Sequence, residues 1–146
     1  MPAWTPAAEQ ESIDEYLETL CRMGDGHELV KTGDLAAAIE TSPAAVSEML
    51  GKLAERGYVE HAPYKGVRLT DKGRERGRFI LRNHRLLEMW LLSELKLEPR
   101  RAHETACAME HSVVPEFDRW LCERLGHPRR SAKGKEIPRG PCCPRA

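Results

Sequence analysis

Side chains able to do chemistry gather in two stretches. "NHRLLE", residues 83–88, holds His84 and Glu88, and "HETACAMEH", residues 103–111, holds His103, Cys107, Glu110 and His111. On an α-helix, residues three or four apart share a face. His84 then pairs with Glu88 and His103 with Cys107, while Cys107, Glu110 and His111 converge on one side. These side chains offer imidazole nitrogen, carboxylate oxygen and thiolate sulfur, the donors of a first-row divalent metal site. A lone helical His is ordinarily structural, but six donors in two groups at helical spacing point to metal. The rival chemistry is a cysteine enzyme using Cys107 with His103 or His111. Neighbours on one helix rarely supply the oriented base and oxyanion site that such attack requires. No catalytic residue and no small organic substrate are therefore expected.

These residues need elements to hold them, and the pattern is mainly α-helical. "ESIDEYLETLCRM" places Ile13, Tyr16, Leu17, Leu20 and Cys21 on one side of an acidic amphipathic helix. "KTGDLAAAIE" reads as a short helix, "TSP" at 41–43 as a turn, and "PAAVSEMLGKLAERG" as a helix stopped by Gly57. "YVEHAPYKGVRLT" carries two short strand-like runs around "YKG", a hairpin signal. Helix, helix, tight turn, helix and hairpin is the order of a winged helix-turn-helix. Its second helix presents Ser42, Pro43, Ala44, Ala45, Ser47, Glu48 and Lys52 toward a major groove, and the wing offers Lys65 and Arg68 to phosphates. Ala45 could meet a thymine methyl and Glu48 a cytosine amine.

A long helix capped by Thr70 then leads into a second helical region. Two more helices follow, with Pro99 and Pro115 at their starts. Phe117, Trp120, Leu121 and Leu125 form an apolar stripe of the kind that closes a dimer. The expected organisation is a DNA-binding domain over 1–76, a helical dimerisation and metal-binding domain over 77–128, and a basic Pro/Gly-rich tail over 129–146. The tail, with its adjacent Cys142 and Cys143, reads as mobile or loosely docked, its thiols free to visit a metal. Cys21 and Cys122 read as core thiols.

The 146 residues suit one domain or two small ones, and the formal net charge is zero. That average hides a pattern. Residues 1–41 carry 2 basic and 9 acidic side chains, residues 57–82 carry 7 and 3, and residues 124–146 carry 7 and 1. Phosphate binding is local, so the basic stretches matter more than the total. No apolar run is long enough to span a bilayer, and the start lacks the basic and apolar regions of a secretory signal. The expected location is the cytoplasm, with reduced cysteines and no membrane partner.

The order of elements, with "NHRLLE", "HETACAMEH" and then "LGHP…GKEIP", resembles the diphtheria-toxin-repressor family of iron- and manganese-dependent transcriptional repressors. The resemblance covers about residues 12–138. It implies a winged helix followed by a helical dimerisation domain, a homodimer, and metal-dependent binding to palindromic operators in double-stranded DNA. Carried over by position, Cys107, Glu110 and His111 match the primary metal site, and His84, Glu88 and His103 the ancillary site. A further primary ligand from the first helix falls at Glu15, where iron-type members have Met and manganese-type members Asp. A second carboxylate of the manganese type falls at Glu18. The chain is thus a hybrid, with an iron-type Cys107 and a manganese-like Glu15. The expected form has two domains, without the SH3-like third domain that many iron-type members carry. Thiolate softness favours Fe(II), with Mn(II) the alternative, and Zn(II), Co(II) or Ni(II) able to bind in vitro. The expected function is a repressor of metal-homeostasis genes. The alternative is a metal-buffering or metal-delivery protein, which would have no use for "SPAAVSEM" before a basic wing.

Overall fold

The computed structural model describes residues 7–24 and 27–144, with the side chain of residue 7 left aside. The described residues form helices α1 (Ala7–Gly24), α2 (Thr32–Ile39) and α3 (Pro43–Glu55), strands β1 (Val59–Ala62) and β2 (Gly66–Leu69), and helices α4 (Asp71–Ser93), α5 (Pro99–Met109) and α6 (Phe117–Arg124). The chain divides into two compact units, Met1–Arg78 and Phe79–Ala146.

In the first unit, α1 packs on α2 and β2, and α3 packs on α2 and β1. Ile13, Leu17, Leu20, Leu35, Val46, Leu50 and Leu53 are almost wholly buried, each an apolar position at helical spacing. Ser42 starts α3: its hydroxyl accepts from the Ala45 N–H at 3.1 Å, and Pro43 fills a first-turn site that needs no N–H partner. The strands pair antiparallel, with Val59 opposite Leu69 and Glu60 opposite Arg68. Val30 adds a bridge to Val67. Gly66 makes that approach possible, since a Cβ there would lie 2.4 Å from the Val30 carbonyl oxygen. The start of α4 closes the unit. Gly77 sits against α1, where a Cβ would meet the Cys21 sulfur at 2.6 Å. Arg76 forks onto Asp14 with two bonds of 3.0 Å, so that buried carboxylate is satisfied within the unit.

In the second unit, Leu86, Leu87 and Leu91 of α4, Ala102 and Ala106 of α5, and Leu121 and Cys122 of α6 make one core. The buried alanines set one face of α5 into the core it shares with α4. Ile137 belongs to this same core and is fully buried.

That burial corrects the expectation of a loosely docked tail. Residues 129–137 form a tight hairpin-like turn, with Ile137 N–H donating to the Arg129 carbonyl at 2.9 Å and Ser131 N–H to the Lys135 carbonyl at 2.7 Å. Gly134, at φ 76°, supplies the left-handed residue that reverses the chain. Beyond it, the Pro138 carbonyl accepts from buried Arg82 at 2.9 Å. Composition points to disorder, but buried Ile137 and the Arg82–Pro138 bond help dock the segment.

Candidate metal centre and nucleic-acid interface

The candidate metal cluster begins with His84, buried on α4. Its Nε2 lies 2.9 Å from Glu88 Oε2, one turn along the helix, and its Nδ1 lies 2.8 Å from Glu110 Oε2. Glu110 sits at the C-terminal cap of α5, where the helix dipole disfavours an anion. It is held there by His84 and by His111, whose Nε2 is 3.3 Å from Glu110 Oε1. His103 reaches across from α5, its Nδ1 3.1 Å from the same Glu88 oxygen that faces His84. Cys107 Sγ stands 3.6 Å from His103 Nε2 and 3.8 Å from His84 Nδ1.

The six donors expected as two sets are therefore one contiguous cluster, with His84 and Cys107 at the junction. His84, His103 and Cys107 each place a donor atom within 4.8 Å of the others'. Burial alone would raise the Glu88 carboxyl, but His103, Lys133 and His84 outweigh it and hold Glu88 below the usual carboxylate range. Burial likewise opposes ionisation of Glu110, and His111 and His84 reverse it. Both groups are ready-made anions inside the protein.

The cluster also shows that a cation fits. A neutral imidazole has one N–H, yet both nitrogens of His84 face carboxylate oxygens. Within this cluster, only a second proton or a metal ion satisfies His84, Glu88 and Glu110 together. A set of imidazole, carboxylate and thiolate donors suits a borderline first-row divalent ion.

Lys133 was not foreseen. From the turn at residues 129–137 its Nζ reaches Glu88 Oε1 at 3.2 Å. The basic character of the tail was visible in the sequence, but not the hairpin that brings this lysine back. In the first unit, Glu15 is exposed on α1, whereas Glu18 is buried and pairs with Arg22 at 2.5 Å.

The nucleic-acid candidates lie in the first unit. Ser42, Pro43, Ala44, Ala45, Ser47, Glu48 and Lys52 are all exposed along α3. Val46, Leu50 and Leu53 are buried on its opposite side. Lys65 and Arg68 are exposed on the hairpin. Arg68 is engaged by its cross-strand neighbour, donating from Nε to Glu60 Oε2 at 3.0 Å. Tyr64, missed in the sequence reading, stands fully exposed at the hairpin tip with φ 65°. It opens the YKG turn, two residues before Gly66. Among the described residues, no helix is long and apolar enough to cross a membrane.

Known proteins bear on this arrangement. The profile described as "Iron dependent repressor, N-terminal DNA binding domain" matches residues 10–67. That of "Iron dependent repressor, metal binding and dimerisation domain" matches residues 70–139. An uncharacterized HTH-type transcriptional regulator of Methanocaldococcus jannaschii is 36% identical over 116 residues, 79% of this chain and 90% of that one. The chain belongs to the diphtheria-toxin-repressor family. This is a family of metal-dependent transcriptional repressors, not of enzymes. The diphtheria toxin repressor of Corynebacterium glutamicum is 28% identical over 88% of this chain, which spans only 56% of that relative's length. A solved manganese-dependent transcriptional repressor in complex with manganese superposes with a TM-score of 0.76 and 34% identity, over 87% of this chain and 58% of that one.

Proposed function

We propose that this chain is a metal-sensing repressor whose homodimer binds a palindromic operator in double-stranded DNA when Fe(II) occupies the cluster around His84. The observation that carries the reading is the placement of two buried carboxylates on the two nitrogens of one imidazole, with Cys107 alongside. Cys107, Glu110 and His111 would hold the primary ion, and His84, Glu88 and His103 the ancillary one. Glu15 and Glu18 would complete the primary set from α1. A bound divalent ion supplies positive charge that replaces protons among the buried anions.

The residues of this chain supply the coupling. Glu15 and Glu18 belong to the first unit, and the remaining ligands to the second. Ligation drawn from both favours one arrangement of the DNA-binding unit, and the ion acts through its differential affinity for that arrangement. The exposed start of α3 then reads base edges, and Lys65 with Lys52 contacts phosphates. Partly buried Phe117 and exposed Trp120 fit an interface between copies. The protein is expected to act in the cytoplasm on genes of metal homeostasis.

Cys107 favours Fe(II) over Mn(II), while Glu15 and Glu110 pull toward harder ions. The test is anaerobic titration of the full chain with Fe(II), Mn(II), Zn(II), Co(II) and Ni(II), measuring binding to DNA from upstream of its own gene. Metal-dependent binding supports the sensor. Tight metal uptake with no DNA binding under any metal supports metal buffering instead.

A further inference from the structure

A second group of metal-ligating side chains lies in the second unit, apart from the His84 cluster. Cys122 is fully buried on α6, and His127, Cys142 and Cys143 join it from the segments that follow. Sequence distance hides the group, since twenty-one residues separate Cys122 from Cys143. The fold closes it in two steps. Gly126 and His127 both take left-handed conformations, at φ 79° and 55°, so α6 ends in a turn that donates His127 N–H to the Cys122 carbonyl at 2.8 Å. This folds the imidazole back, with Nδ1 3.4 Å from Cys122 Sγ. A second turn, with Cys143 N–H donating to the Gly140 carbonyl at 3.0 Å, brings in the adjacent cysteines.

Three of the separations match the edges of a tetrahedral site. Zinc bonds of about 2.3 Å to sulfur and about 2.0 Å to nitrogen imply edges of about 3.8 Å between sulfurs and about 3.5 Å between sulfur and nitrogen. Here Cys122 Sγ is 3.7 Å from Cys143 Sγ, Cys142 Sγ is 4.0 Å from Cys143 Sγ, and the nitrogen–sulfur edge is 3.4 Å. All four donor atoms lie within 4.8 Å of one another. None of these cysteines is in a disulfide.

The surroundings suit thiolates. Buried Arg82 points its guanidinium at Cys142 Sγ, 3.1 Å away, and at Cys143 Sγ, 3.6 Å away. Gly140 N–H donates to Cys143 Sγ at 3.4 Å. Arg82 is itself fixed by Asp118 at 2.7 Å. Three thiolates and one imidazole around a divalent ion leave a net charge of −1, and N–H donors aimed at the sulfurs are the usual outer support of such a centre.

We propose that Cys122, His127, Cys142 and Cys143 form a Cys₃His site for Zn(II), separate from the sensing cluster, that pins the C-terminal segment to α6. Binding takes up a neutral His127 and releases the three thiol protons to solvent. The ligands come from one helix and two turns, and all four coordination positions are filled by protein, as in structural zinc sites. The proposal goes beyond metal sensing and does not depend on it.

The test uses the full chain with Cys107→Ser, which removes the sensing thiolate. Protein expressed with zinc and purified anaerobically is expected to carry one zinc per chain after dialysis against a weak chelator. Replacement by Co(II) should give sulfur-to-cobalt charge-transfer absorption and intense tetrahedral ligand-field bands. Adding Cys142→Ser and Cys143→Ser should abolish both signals. A Cys107→Ser protein with no retained zinc and no cobalt–thiolate absorption overturns the proposal, whatever the further variants do. So does undiminished cobalt–thiolate absorption after both cysteines are replaced. A Cys122–Cys143 disulfide in the anaerobically purified protein, found by peptide mass mapping, overturns it too.

Discussion

His84 and Glu110 stand twenty-six residues apart in sequence and 2.8 Å apart in the fold. One comes from the middle of α4, the other from the end of α5. Their meeting joins the two donor sets that helical spacing alone kept separate. Both helices are anchored in one core, where Ala102 and Ala106 of α5 are buried with Leu86 and Leu87 of α4.

Acid should destabilise the metal-free protein through this cluster. Glu88 and Glu110 have folded-state pKa values below the ordinary 4.5. The unfolded chain therefore binds protons first as pH falls. Their stabilising contribution is fully present above the ordinary carboxylate value and is lost as pH drops through it toward the lower folded values. Urea midpoints of the metal-free protein should fall across that window. Glu110→Gln should flatten the dependence, and an unchanged slope would remove Glu110 from the explanation.

Arg82 and Asp118 form a buried ion pair, with side chains 4% and 11% exposed. Arg82→Met strands Asp118 among apolar neighbours and should cost about 3–5 kcal/mol. Arg82→Lys keeps the charge but loses the fork that also holds the Pro138 carbonyl, so an intermediate loss is expected. Equilibrium unfolding in urea measures both. Equal stability of the two variants would contradict the geometric role.

Much of this was legible in the sequence, for identifiable reasons. Ser42 and Pro43 announce the start of α3 because capping is local chemistry. The hairpin follows from two short runs around a glycine turn, and His84 with Glu88 follows from one turn of helix. The rest depends on tertiary closure. The ordering of residues 129–137 rests on Ile137 finding a core made by other helices. Lys133 reaches Glu88 only once that turn has formed. Cys142 and Cys143, adjacent in a Pro/Gly-rich stretch, carry no periodicity that could point to Cys122 and His127. On α1, the acidic residues at 14, 15 and 18 look alike in sequence, yet Asp14 is taken by Arg76 and Glu15 is exposed.

On the DNA side, Lys65→Ala should weaken binding about equally for all sequences and reduce the salt dependence by about one unit of slope. Glu48→Gln should instead change preference at one base pair, because a carboxylate accepts from cytosine N4 and an amide also donates. Competition binding with single-base operator variants at two salt concentrations separates these effects. If Glu48→Gln leaves both affinity and preference unaltered, Glu48 is not a base reader.

Metal preference should follow the donor set. Cys107→Glu replaces sulfur by oxygen and should move activation from Fe(II) toward Mn(II), a shift read from the metal concentration giving half-maximal DNA binding. A wild-type chain already activated by Mn(II) at lower concentration than by Fe(II), with no change on substitution, would defeat the argument from softness.

In the proposed function, metal at the His84 cluster controls DNA binding. The most direct measurement is anaerobic fluorescence anisotropy of labelled upstream DNA with the full chain, without metal and with Fe(II), for wild type and for Glu110→Gln. Metal-sensing control predicts at least about tenfold tighter binding of the wild type with Fe(II), a coupling of about 1.4 kcal/mol, and little response in the variant. Equal affinity of the wild type with and without every metal tested would contradict it.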